Sequence, residues 1–62
     1  MIATAIDIEL RDGSVHRLTY PDRAQAGRAL GAVLTVGFHA LVEGAVLFFS
    51  HRAVRQAALR PA

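Results

Sequence analysis

Ile2, Thr4, Ile6, Ile8 and Leu10 alternate with Ala3, Ala5, Asp7, Glu9 and Arg11 at the start of the chain. Period two, with β-branched residues on one side, is the pattern of a strand buried on one face. Asp12-Gly13 follows, a strong signal for a tight turn, and Val15–Tyr20 supplies a second strand. The apolar match sets the expected register. A two-residue loop would place Ile8 opposite Arg17 and Ile6 opposite Thr19. A three-residue loop, Asp12-Gly13-Ser14, instead pairs Ile8 with Leu18, Ile6 with Tyr20 and Glu9 with Arg17, so apolar meets apolar and acid meets base. That form carries a bulge, with Gly13 in the left-handed region.

Pro21 ends the hairpin, because it cannot donate to a sheet. Asp22 reads as a helix N-cap, with Gln25 three residues on in capping-box spacing. Leu30, Val33 and Leu34 give the helix an apolar side, while Arg23 and Arg28 face water. Gly27 and Gly31 each cost about 1 kcal/mol relative to Ala in a helix. Either a close approach to another element requires them or they are simply tolerated. Gly37 is expected to cap the helix C-terminus.

Residues 38–42 and 45–49 read as a third and fourth strand around a tight Glu43-Gly44 turn. The fourth is apolar on both sides, with Val46 and Phe48 on one face and Leu47 and Phe49 on the other. Ser50 could cap a helix over residues 51–59, which the alanines favour. The alternative is one helical turn over 51–54 followed by a short strand over 56–60. The expected fold is therefore α+β, a single domain over 1–62 in the order ββαββ, plus a C-terminal helix or strand.

Length sharpens this picture. A chain of 62 residues buries only about 60% of the surface its unfolded form exposes. It has no cysteine, hence no disulfide staple and no thiolate metal site. A single helix covers one face of a sheet, which leaves part of Phe38, Leu41, Leu47 or Phe49 wet. These four residues are the expected contact surface for a second copy or for a larger protein.

Charge adds a weaker hint. The net charge is +2, all seven cationic residues are Arg, and Lys and Asn are absent. This composition, with twelve alanines, is that of a GC-rich bacterial genome, so Arg abundance by itself says little. Residues 1–31 balance four Arg against Asp7, Glu9, Asp12 and Asp22; Arg52, Arg55 and Arg60 against Glu43 leave the excess near the end. His51, Arg52, Arg55 and Arg60 form an alternative contact for nucleic acid or an acidic partner, since Arg pairs in forked geometry with phosphate. The aromatic residues, all at strand positions suited to a core, offer no base-stacking platform.

The N-terminus lacks the basic and long apolar segments of a signal peptide. Residues 30–49 pose the question of a single membrane span. Eleven Leu, Val and Phe contribute about −5 kcal/mol on the insertion scale, and Glu43 near mid-span costs about +3. His39 and three glycines reduce the balance to near zero, so a cytoplasmic protein is expected and the single span is the less favoured alternative.

No constellation for catalysis is visible. Ser14 and Ser50 have structural explanations as turn and cap residues, and the glycines lack the spacing of a phosphate loop. His39 and Glu43 share a strand face but make two ligands at most; a hydrogen-bonded pair explains them. Asp7 and Glu9 serve solubility. The expectation is a non-enzymatic, self-associating protein-interaction module with no cofactor or metal.

Overall fold

The structure, a computed structural model, describes residues 3–62. Ile2, the first of the expected inward positions, lies outside them. Among the described residues the chain runs β1 (Thr4–Leu10), β2 (Val15–Tyr20), α1 (Arg23–Thr35), β3 (Gly37–Val42), β4 (Ala45–Ser50), a 3-10 turn (His51–Ala53) and β5 (Val54–Pro61). The fold is α+β. One antiparallel sheet has the order β2-β1-β5 and a second is the β3-β4 ribbon.

β1 is the centre of the larger sheet, and its alternation does what the pattern predicts. Ile6 and Ile8 are fully buried, with Leu10 close behind, against Ala26 and Val33 of α1. The first hairpin keeps the expected faces but in a register shifted by two. Ile6 lies opposite Leu18, Ile8 opposite His16, and Asp7 rather than Glu9 opposite Arg17. The loop is Arg11-Asp12-Gly13, closed by Leu10 N–H to the Ser14 carbonyl at 2.9 Å and Gly13 N–H to the Leu10 carbonyl at 3.0 Å. The Asp12 carboxylate accepts from the Ser14 amide at 2.8 Å and its hydroxyl at 2.6 Å. This Asx-type grip places Ser14 beside the turn rather than inside it. Gly13 has φ +92°, as the bulged form requires.

Asp22 caps α1 as predicted, accepting from the Gln25 amide at 2.8 Å, while the Gln25 side chain returns to Asp22 at 3.3 Å. The buried stripe is Ala26 and Val33, with Ala29 and Leu30 packed beside it. Leu34 is exposed, because it lies about 80° around the helix from Ala26 at 3.6 residues per turn. Gly27 and Gly31 face open space, so no close approach explains them. The helix is capped at Val36, not Gly37, with the Val36 amide donating to Ala32 at 2.8 Å.

The C-terminal segment takes the second of its two expected forms, a helical turn followed by a strand. After one 3-10 turn it forms β5, antiparallel to β1, with Ile6 opposite Leu59 and Ile8 opposite Ala57. The helix that local propensity favours loses to the open edge of β1. Val54, Ala57 and Leu59 all reach the core as strand residues. Residues 30–49 do not form one span either; they are shared among the end of α1, β3, a turn and β4. No helix among the described residues is long and apolar enough to cross a membrane.

Gly37 opens β3 with φ +139°, and a Cβ there would sit 2.1 Å from the Phe49 carbonyl oxygen and 2.8 Å from the Phe48 ring. Gly37→Ala is expected to destabilise the protein by about 3 kcal/mol or more, combining a disfavoured backbone region with a backbone clash. Gly27→Ala, in open space, is expected to stabilise it by up to about 1 kcal/mol. Urea unfolding of the two variants checks both signs.

Candidate interaction surface

The Glu43-Gly44 turn has φ +50° and +83°, the geometry of a two-residue hairpin turn of type I′. It fixes the ribbon's register: Phe38 opposite Phe49, His39 opposite Phe48, Ala40 opposite Leu47 and Leu41 opposite Val46. Phe38, Ala40, Leu47 and Phe49 therefore share one face, and His39, Leu41, Val46 and Phe48 share the other.

The first face turns inward. Phe38 stacks on Phe49 with ring centroids 5.2 Å apart, and the His16 ring of β2 lies 5.8 Å from Phe38 and 5.1 Å from Phe49. This three-ring cluster ties the ribbon to the larger sheet. Phe38 is 5% exposed and Phe49 half-buried. Of the four residues expected at a partner contact, the chain itself thus covers Phe38 and most of Phe49. Leu47, on the same face, remains 42% exposed, and Leu41, on the opposite face, 71%.

Of the two ribbon faces, the barer is the one that carries Leu41. Leu41, Val46 at 70% and Phe48 at 52% stand in water, with His39 tilted against Phe48 at a centroid distance of 5.1 Å. Phe48 is therefore not a core aromatic. Leu34 and Val36, where α1 leads into β3, are exposed as well. A usable sequence signal did exist: the two-residue turn fixes which residues share a face, and His39 and Glu43 mark theirs as the one that meets solvent.

The basic residues do not assemble into a patch. Arg60 sits opposite Ala5 on the outer face of the larger sheet, where its Nε contacts Asp7 at 3.1 Å. Arg55 is the extra residue of a bulge, since Glu9 pairs with Gln56 and Leu10 with Val54. Arg52 lies in the 3-10 turn, where its carbonyl accepts from the Arg11 guanidinium at 2.9 Å, and His51 approaches the Val36 carbonyl at 3.4 Å. Five residues of extended chain separate Arg55 from Arg60 by about 17 Å.

Asp7 is more than a solubilising residue. Arg17 grips it with two bonds of 2.8 and 3.1 Å, and Arg60 approaches from the other neighbouring strand. Beside it the Gln56 amide donates to Glu9 at 2.7 Å. A shallow depression of about 290 Å³ includes Asp7, Glu9, Gln56 and Arg60 in its lining, but these polar groups mostly satisfy one another. Ser14 donates to Asp12, and the Ser50 hydroxyl accepts from the Arg52 amide at 3.3 Å. No group of three or more His, Asp or Glu among the described residues is placed to hold a metal. His39 contacts Phe48, while Glu43 stands on the turn.

Comparison with known proteins adds no relative: no protein-family model, curated protein or solved structure matches the chain.

The Arg17 hydrogen bond holds the Asp7 carboxyl below its usual 3.8; desolvation opposes it, and the Arg17 and Arg60 charges add to the lowering. The Ser14 hydroxyl, then the Ser14 amide, do the same for Asp12. Below pH 3.8 the unfolded chain therefore binds protons that the folded chain still excludes. The stability these groups contribute is complete above that pH and is lost as the pH falls through their lowered values. The urea midpoint is expected to hold steady from about pH 6 to 4 and drop towards pH 2, less steeply in Asp7→Asn.

Proposed function

We propose that this chain is a small, non-enzymatic protein-interaction module that self-associates through its β3-β4 ribbon. The carrying observation is the outward face of Leu41, Val46 and Phe48, three large apolar side chains side by side with more than half of each in water. Isolated exposed apolar residues are ordinary, but a contiguous face of them marks a contact surface.

Surface area supports the same reading. The chain exposes 4252 Å², whereas a compact monomer of its mass exposes about 3,900 Å². The molecule measures 32 × 25 × 17 Å, flat for its size. Its polar side chains favour binding over chemistry: the carboxylates of Asp7 and Asp12 are occupied in ion pairs and turns, and both serines brace local backbone.

Light scattering during size exclusion tests the proposal. Wild type at about 100 µM is expected to elute at twice its chain mass or more. The double variant Val46→Lys/Phe48→Lys is expected to weaken association at least about 30-fold, roughly 2 kcal/mol, with an unchanged circular dichroism spectrum. A wild-type protein that stays monomeric at that concentration overturns the self-association.

A further inference from the structure

Resting on the reading of the ribbon as a contact surface, we propose that the occupant is a second copy of this chain, paired along the free edge of β4. Two copies of β4 run antiparallel about a twofold axis, and the two ribbons merge into one four-stranded sheet.

The strand edges of the fold are unequal. An edge strand offers unpaired N–H and C=O groups, and proteins blunt such edges with charge, proline or a bulge. Edge strand β2 carries His16 and Arg17 and runs into Pro21. Edge strand β5 carries Arg55 at a bulge, then Arg60 and Pro61. β3 presents His39, and the segment just before it is held by the His51 amide on the Val36 carbonyl at 2.9 Å. β4, Ala-Val-Leu-Phe-Phe-Ser, has no charge and no proline, and its pairing with β3 runs without a register shift.

The turn sets which groups on β4 are free. In a type I′ turn the residues flanking the two central positions are hydrogen-bonded, here Val42 and Ala45. The antiparallel ladder then alternates, so Ala45, Leu47 and Phe49 bond to β3, and Val46, Phe48 and Ser50 aim their N–H and C=O at the open edge.

Pairing β4 with its own copy about Leu47 uses these outward groups. Val46 meets the partner's Phe48 and Phe48 meets the partner's Val46, both as hydrogen-bonded pairs. Ala45 falls opposite the partner's Phe49, and Leu47 opposite the partner's Leu47. Every one of these pairs is apolar against apolar, and no like charges oppose. The contact is isologous, so it closes as a dimer. It also accounts for Leu47, whose exposure on the otherwise inward face is covered by its twin. Stacking the outward faces of two ribbons would leave Leu47 bare.

The contact is smaller than the usual 800 Å² or so per partner, so association in the micromolar range is expected. Amide hydrogen exchange on wild type, at about 5 and about 500 µM, reads the pairing directly. The Val46 and Phe48 amides are expected to slow at least about tenfold at the higher concentration, while those of Leu41 and His39 do not. Val46→Pro, which removes an outward N–H but keeps an apolar side chain, is expected to weaken the dimer at least about tenfold; Val15→Lys, exposed on β2 and away from the ribbon, leaves it intact. A dimer that survives Val46→Pro but not Leu41→Lys, with no concentration-dependent protection at Val46 or Phe48, overturns edge pairing in favour of face stacking and leaves the ribbon as the contact surface. A monomeric wild type removes the contact reading itself.

Discussion

Two apolar faces on β3-β4 and internal cover for one of them is the constraint on which the rest of this structure turns. A buried ribbon face needs an opposing layer, and the chain supplies it through the larger sheet, using the His16, Phe38 and Phe49 rings as the join. α1 is already committed, its Ala26 and Val33 stripe closing over Ile6 and Ile8. No other element among the described residues lies over Leu41, Val46 and Phe48. The absence of a Cβ at Gly37 belongs to the same constraint. The backbone leaving α1 must pass close to the Phe49 carbonyl to bring Phe38 against Phe49, so the inward face forms only if that position is bare.

The two sheets resolve their outward faces in opposite ways. On the larger sheet, Asp7 lies between Arg17 and Arg60 and Glu9 accepts from Gln56. Each strand contributes a polar partner to its neighbour, and the surface is chemically closed. Exposed ion pairs of this kind add little to stability individually, but they specify register, since a slip of one residue would send Asp7 into the core. The ribbon has no such pairs. Its outward face holds one histidine among apolar side chains, so solvent neither satisfies nor restrains it.

Much of this was legible from the chain alone, and the failures have physical causes. Alternation in β1, the Asp22 cap and the Glu43-Gly44 turn are local signals, and each produced the element it predicted. The first hairpin's register differs because apolar matching ranks Leu18 and Tyr20 as partners without weighing the Asp12 carboxylate, whose bonds to Ser14 accompany a loop one residue earlier, at 11–13, and so a pairing shifted by two. In the tail, alanine's local helix preference competes with the unpaired edge of β1, more than forty residues earlier, and of the two expected forms the turn followed by a strand is the one that results. The basic cluster dissolved with the helix that would have gathered it. A strand apolar on both sides does not announce which face is inward, so the expected contact residues Phe38, Leu41, Leu47 and Phe49 span both faces; His39, across the hairpin, marks the outward one.

A two-stranded ribbon is marginal by itself in water, and three or more strands with an apolar face, or packing against a helix, are needed for independent stability. β3-β4 meets that condition on one side only, through its aromatic join. Adding a copy along β4 brings the count to four strands, satisfies the outward amides of Val46 and Phe48, and shelters Leu47 without requiring any charged group to be desolvated. Covering the outward face alone would do none of these three. The same merger sets two outward faces side by side, so that Leu41, Val46 and Phe48 of both copies lie on one continuous surface. On the proposed pairing, the edge and the face are successive requirements: joining the two backbone edges would lay out a wider apolar platform than a single hairpin offers.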